Sequence, residues 1–113
     1  MITYSVNEAI EMLDGLAGKD ICIRGLLSFE FENVSLSHVT LAELLPGYAS
    51  SIWLSVGSGS LSFDARVCER LHGKVVVVEG TLCKPDPKFG GCGHMSLWPA
   101  ELVARSLERA KNA

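Results

Sequence analysis

Two extended runs, each broken by one internal glycine, constrain this chain more than any other feature. From Asp20 the pattern has period two, with Ile21 and Ile23 opposed to Cys22 and Arg24, and the run continues through Leu27, Phe29 and Phe31. Gly25 interrupts it in mid-course. Lys74 to Cys83 (KVVVVEGTLC) is β-branched and nearly continuous, with Gly80 inside it. A glycine within a strand suits a bulge or a sharp coil, the device that lets one long strand serve two sheets of a small closed structure.

The other elements are shorter. Ser5 through Leu16 reads as a helix: Ser5 caps the free amides, Glu8 completes a capping box, Val6, Ala9, Ile10 and Leu13 recur at helical spacing, and Gly15 and Gly18 stop it. Asn33 marks a turn, after which Val34, Leu36 and Val39 return as a second strand. Leu41 to Ser51 is either a helical turn broken at Pro46 and Gly47 or a long irregular connection. Ile52 to Val56 is a third strand, and Gly57 to Ser60 a turn. Asp64 is placed to cap a helix whose apolar face is Ala65, Val67, Cys68 and Leu71, ending near Gly73. A long loop holds Pro85, Pro87, Gly90, Gly91 and Gly93. The final segment after Pro99 has both helix propensity and, through Leu97 and Leu102 to Leu107, the residues of a closing strand.

The order helix, coiled strand, strand, strand, helix, strand, loop, strand resembles the OB fold, and in particular the small bacterial OB-fold proteins. The segments that carry the resemblance are GKDICIRGLLSF, DARVCERLHGKVVVVEGTL with its "GK" strand start, and GHMSLWPAEL, which together span most of the chain. The resemblance implies an all-β fold with minor helix: a five-stranded Greek-key barrel over residues 1–113 as a single domain, with an N-terminal helix and a second helix between strands three and four. First and fourth strands pair in that topology, so Ile21, Ile23, Val75, Val77 and Leu82 are expected in one core. It also implies a binding face on strands two and three, flanked by the loop between strands four and five.

A hydrophobic fraction of 48% in 113 residues supplies one complete core without disulfides or metal. The longest purely apolar run is Val75 to Val78, and the N-terminal stretch carries acids where a signal peptide carries bases, so the expectation is a cytoplasmic protein with no membrane association and with Cys22, Cys68, Cys83 and Cys92 as thiols. The net charge of −3 is unevenly spread. Residues 1–64 hold two bases against eight acids (−6), and residues 65–113 hold eight bases against five acids (+3). An acidic first half argues against a protein that coats nucleic acid through its overall field.

Function has to come from a site, because the OB fold hosts binders, inhibitors and enzymes alike. No nucleophile elbow, phosphate loop or dinucleotide fingerprint is present, so no enzyme and no cofactor are expected. Cys83, Cys92 and His94 are three side chains of the type that ligate zinc, with Cys68 or His72 as a fourth. Eight residues separate the two cysteines, however, and no metal is expected. Glu30, Glu32, Glu43 and Trp53 form the candidate surface for a protein partner, through charge complementarity around an aromatic. The alternative is single-stranded nucleic acid gripped by Lys84 and Lys88 and stacked on Trp53 and Phe89. The ordinary readings are a solvated loop for the lysines and an aromatic plug at a barrel end for Trp53.

Overall fold

A computed structural model describes residues 2–56 and 65–111. The turn expected at Gly57 to Ser60 and the Asp64 cap lie outside the described residues. Strand β1 (Thr3–Ser5) leads into helix α1 (Val6–Glu11). Both halves of the capping box are present: Glu8 N–H donates to Ser5 Oγ (3.1 Å), and Ser5 N–H donates to Glu8 Oε1 (2.8 Å). The expected single helix is instead two pieces, because Met12 leaves helical geometry and α2 (Leu13–Leu16) restarts after it. β2 (Asp20–Glu30), β3 (Asn33–Ser37), β4 (Ser51–Ser55), helix α3 (Ala65–Leu71), β5 (Val75–Cys83) and β6 (Glu101–Arg109) follow. The final segment is thus a strand, and Leu41–Glu43 is one 3-10 turn in the β3–β4 connection.

Five strands form a ring in the order β2-β3-β4-β6-β5, closed by pairing of β5 with β2; β4 and β6 run parallel and the other ring contacts are antiparallel. β1 adds a short parallel edge to β2 that periodicity in the sequence did not announce. β2 serves both sides of the ring. Asp20 to Leu26 pairs with β5 and Leu26 to Glu30 with β3, and the handover falls beside Gly25. A Cβ at Gly25 would sit 2.9 Å from the Ser37 carbonyl oxygen and 3.0 Å from Val6 Cγ2, so this crossing requires glycine. Phe31, read as part of the strand, lies beyond its end in a two-residue turn and is 92% exposed.

The core collects Ile21, Ile23, Leu27, Leu36, Ile52, Leu54, Val76, Val78, Leu82 and Leu102, with Val6 and Ala9 of α1 packed among them. Val75 and Val77 were expected inside and face out. Four consecutive valines leave the phase of the alternation undefined, but Leu82 is buried and no register shift interrupts the β2–β5 pairing, so even-numbered positions point inward along all of β5. The irregularity lies on β6. Glu79 pairs with Ser106 but Gly80 with Ala104, so Arg105 is the extra residue of a bulge and the buried positions change from Leu102 and Ala104 to Leu107. The bulged Arg105 reaches Asp20 (2.7 Å) and Glu79 (3.5 Å) on the outer face. Val78→Ala is therefore expected to cost about 1–3 kcal/mol and Val77→Ala under about 1 kcal/mol, as urea midpoints will show; equal losses would contradict this phase.

Candidate functional site

The outer face of β3 and β4 is lined by small polar side chains and one aromatic. Leu36, Ile52 and Leu54 take the inward positions, which leaves Ser35, Ser37, Ser51, Trp53 and Ser55 outward, with Ser35 directly opposite Trp53 in the pairing. Ser55 Oγ donates to the Glu101 carboxylate across to β6. The 84–100 loop folds over this face. Cys92 and Trp98 exchange two backbone hydrogen bonds (2.8 and 3.0 Å), closing the segment between them into a compact lobe. The lobe runs from the β2–β3 turn, where His94 Nε2 lies 3.3 Å from Glu32 Oε2, to the start of β4, where Trp98 Nε1–H donates to Ser51 Oγ at 3.0 Å.

An aromatic cluster anchors the lobe. Trp98 is only 3% exposed and packs edge-on against Trp53, with ring centroids 4.8 Å apart, and against Tyr48 of the β3–β4 connection at 4.6 Å. Gly93 lies flat on the Trp53 ring: its φ is +73° and a Cβ there would overlap the indole, so glycine is required on both counts. At the tip, Met95 and Ser96 also hold left-handed backbone (φ +60° and +55°), a conformation that costs L-residues energy and that clusters at ligand clamps. Met95 is 75% exposed.

The candidate residues are distributed as follows. Trp53 faces outward from the strand but is partly covered by the lobe, so it is neither a free stacking platform nor a plug at the end of the ring. Glu30 and Glu32 do not share a strand face, because Glu32 belongs to the turn with φ +64°. Each of the three candidate glutamates faces one of the three histidines: Glu30 lies 3.7 Å from His72, Glu32 meets His94, and Glu43 lies 3.1 Å from His38. His38 is buried. Its Nδ1 accepts the Asn7 N–H (3.1 Å), which leaves the proton of the neutral ring on Nε2, donated to Glu43 Oε1. His72 Nδ1 likewise accepts the Phe29 N–H (3.0 Å).

Of the loop cations, Lys84 is engaged by Asp14 at 2.6 Å, and this pairing holds the Asp14 carboxyl below the usual carboxylate range. Lys88 and Phe89 are exposed on a turn in which Asp86 Oδ1 accepts the Lys88 N–H. Cys83, Cys92 and His94 do not assemble, since His94 turns to Glu32, and among the described residues no three or more His, Cys, Asp or Glu side chains converge as metal ligands. None of the four cysteines forms a disulfide. Burial, then the nearby Glu101 carboxylate and then Cys83, push the Cys92 thiol up to about 11.

A raised thiol pKa favours folding below the unfolded-state value near 9 and loses that contribution as the pH climbs through about 11. Urea midpoints measured from pH 8 upward are expected to fall over that window, and to fall less in Cys92→Ala. Parallel curves would remove the thiol from the alkaline transition.

Tyr48 and Trp98, absent from the sequence-derived candidates, complete the cluster. The signal available for Trp98 was its place immediately before Pro99 at the end of a glycine-rich loop.

No protein-family model and no curated protein sequence matches this chain. Solved structures similar in fold include the following two. One is "OBody AM3L09 bound to hen egg-white lysozyme", at 13% identity and a TM-score of 0.54 over 88% of each chain. The other is the crystal structure of "a putative aspartyl-tRNA synthetase from Leishmania major Friedlin", at 14% identity and a TM-score of 0.51, where the similarity covers 96% of this chain and 20% of that one. The described residues include no helix long and apolar enough to cross a membrane.

Proposed function

We propose that the ring is an OB-fold barrel and that the chain is a non-enzymatic binding module which docks a protein partner, in an inhibitor or immunity-type role. Parallel β4 and β6, antiparallel pairing elsewhere in the ring, and a helix between β4 and β5 support the fold reading. The similar structure bound to lysozyme supports the idea that such a scaffold can present a protein-binding surface. The observation that carries the proposal is the junction of two loops. The contact between Glu32 and His94 brings together the turn that exposes Phe31 and the lobe that exposes Met95, so the residues next to that pair in the chain are two exposed apolar ones, with Leu97 also exposed nearby in sequence. Exposed apolar residues beside a carboxylate suit a protein surface that is basic next to an apolar pocket. A phosphate chain would meet that same carboxylate, while Lys84 is already neutralised by Asp14.

The test uses the full chain as bait in an extract of its native host, followed by titration of the recovered protein. Phe31→Asp and Met95→Asp are each expected to weaken binding by at least about 2 kcal/mol, as central anchors do, while Lys88→Ala and Phe89→Ala leave it intact. Fluorescence titration with mixed single-stranded DNA and RNA at moderate salt runs alongside. Submicromolar binding there, abolished by Lys84→Ala, Lys88→Ala and Phe89→Ala together, would overturn the protein-partner reading in favour of nucleic acid.

A further inference from the structure

A strand covered by a core on one face alone normally alternates apolar and polar residues; an unbroken apolar run marks a strand covered on both. β5 breaks this pattern. Val76 and Val78 fill the core, but Val75 and Val77 point away from it and are partly exposed, with the equally outward Leu26 of β2 beside Val75. The pairing register adds charge to this apolar stripe. Arg24 of β2, Val77 of β5 and Glu108 of β6 lie side by side in one row, all on the outer face. Neighbouring strands are about 4.8 Å apart, so a base and an acid stand at equal distances on either side of Val77. Neither Arg24 nor Glu108 forms an ion pair with another described residue.

We propose that this face binds a second copy of the chain, with a two-fold axis running along β5 through the interface. Rotation by half a turn about that axis lays one sheet face on the other and exchanges left for right, so that Val75 and Val77 meet their own copies and Arg24 opposes Glu108 of the second chain, twice. An axis across the strands would set Arg24 against Arg24, and so is disfavoured by charge. Glu79 meets its own copy near the axis, and each brings its own cation, because Arg105 Nη2 already lies 3.5 Å from it. None of these residues belongs to the face beneath the 84–100 loop, so that face stays open in the dimer to a different partner.

Sedimentation equilibrium of the full chain, over a concentration series reaching the millimolar range, is the direct test. The wild type is expected to approach the mass of two chains. Arg24→Glu and Glu108→Arg, each placing like charges opposite one another, are each expected to weaken association by roughly a hundredfold, and the double exchange to restore it. Val77→Lys is expected to leave a single-chain mass with unchanged circular dichroism, since the position lies outside the core. A wild type that keeps the mass of one chain throughout overturns the proposal. So does a dimer that survives Val77→Lys, or single reversals that fail to weaken it or that the double exchange does not rescue.

Discussion

Gly80→Ala is expected to lower the stability of the fold by about 3 kcal/mol, the upper part of the range for forcing one extra carbon into a packed interior. The reason is backbone against backbone. At the bulge where β6 accommodates Arg105, a Cβ on Gly80 would overlap the Val103 carbonyl and stand 3.0 Å from Ala104 Cα. No side chain can rotate to relieve that contact, so one strand must move and the pairing of β5 with β6 must loosen. Gly15→Ala is the matching control, because a Cβ there meets nothing within 4 Å and α2 gains a better helix former; it is expected to be neutral or stabilising by about 0.5 kcal/mol. Urea midpoints of the two variants measure the contrast. An unchanged midpoint in Gly80→Ala would mean that the bulge is not where the register places it.

The second large effect is expected at Trp98. Trp98→Ala removes a nearly buried indole together with its contacts to Tyr48 and Trp53, at a cost of about 3–5 kcal/mol, and leaves the 84–100 loop without its anchor on β4. Trp98→Phe keeps most of the packing and loses the bond from Nε1–H to Ser51 Oγ, a change of about 1 kcal/mol. The pair separates anchoring from hydrogen bonding. Indole fluorescence of Trp53 in each variant reports whether the lobe still covers it: a red shift is expected in Trp98→Ala and little change in Trp98→Phe. If Trp98→Ala melts like the wild type with Trp53 unshifted, the cluster does not hold the loop.

Much of the framework was legible because it rests on local rules. The capping box at Ser5 and Glu8 forms as read, since both bonds lie within one turn of chain. The glycines at 25 and 80 mark the two points where the strands crowd a neighbour, as interruptions of otherwise strong strand patterns suggest. The site was less legible. Glu30, Glu32 and Glu43 stand out in the sequence as charges, yet each lies against a histidine, and for two of the three that histidine is far away along the chain. Trp53 reads equally well as core or surface from its alternation, because what decides its cover is a loop that begins thirty or so residues later in the chain and arrives only once the ring is closed.

By itself the sequence determined the strand-rich character of the chain, the capped helical start, the two glycine crossings and the absence of any recognisable catalytic motif, all consequences of side-chain periodicity and backbone sterics that act over a few residues. Tertiary structure alone decided which valines of β5 face the core, because a run of four identical side chains has no phase until Leu82 is buried and the β2 register is set. It also decided that Arg105 bulges out of β6 to reach Asp20, that β1 pairs in parallel with β2, and that the 92–98 lobe seats Trp98 on Trp53. Each of these depends on contacts between segments distant in sequence. Their free energy comes from surfaces that meet only after the chain has closed its ring, so no local pattern encodes them.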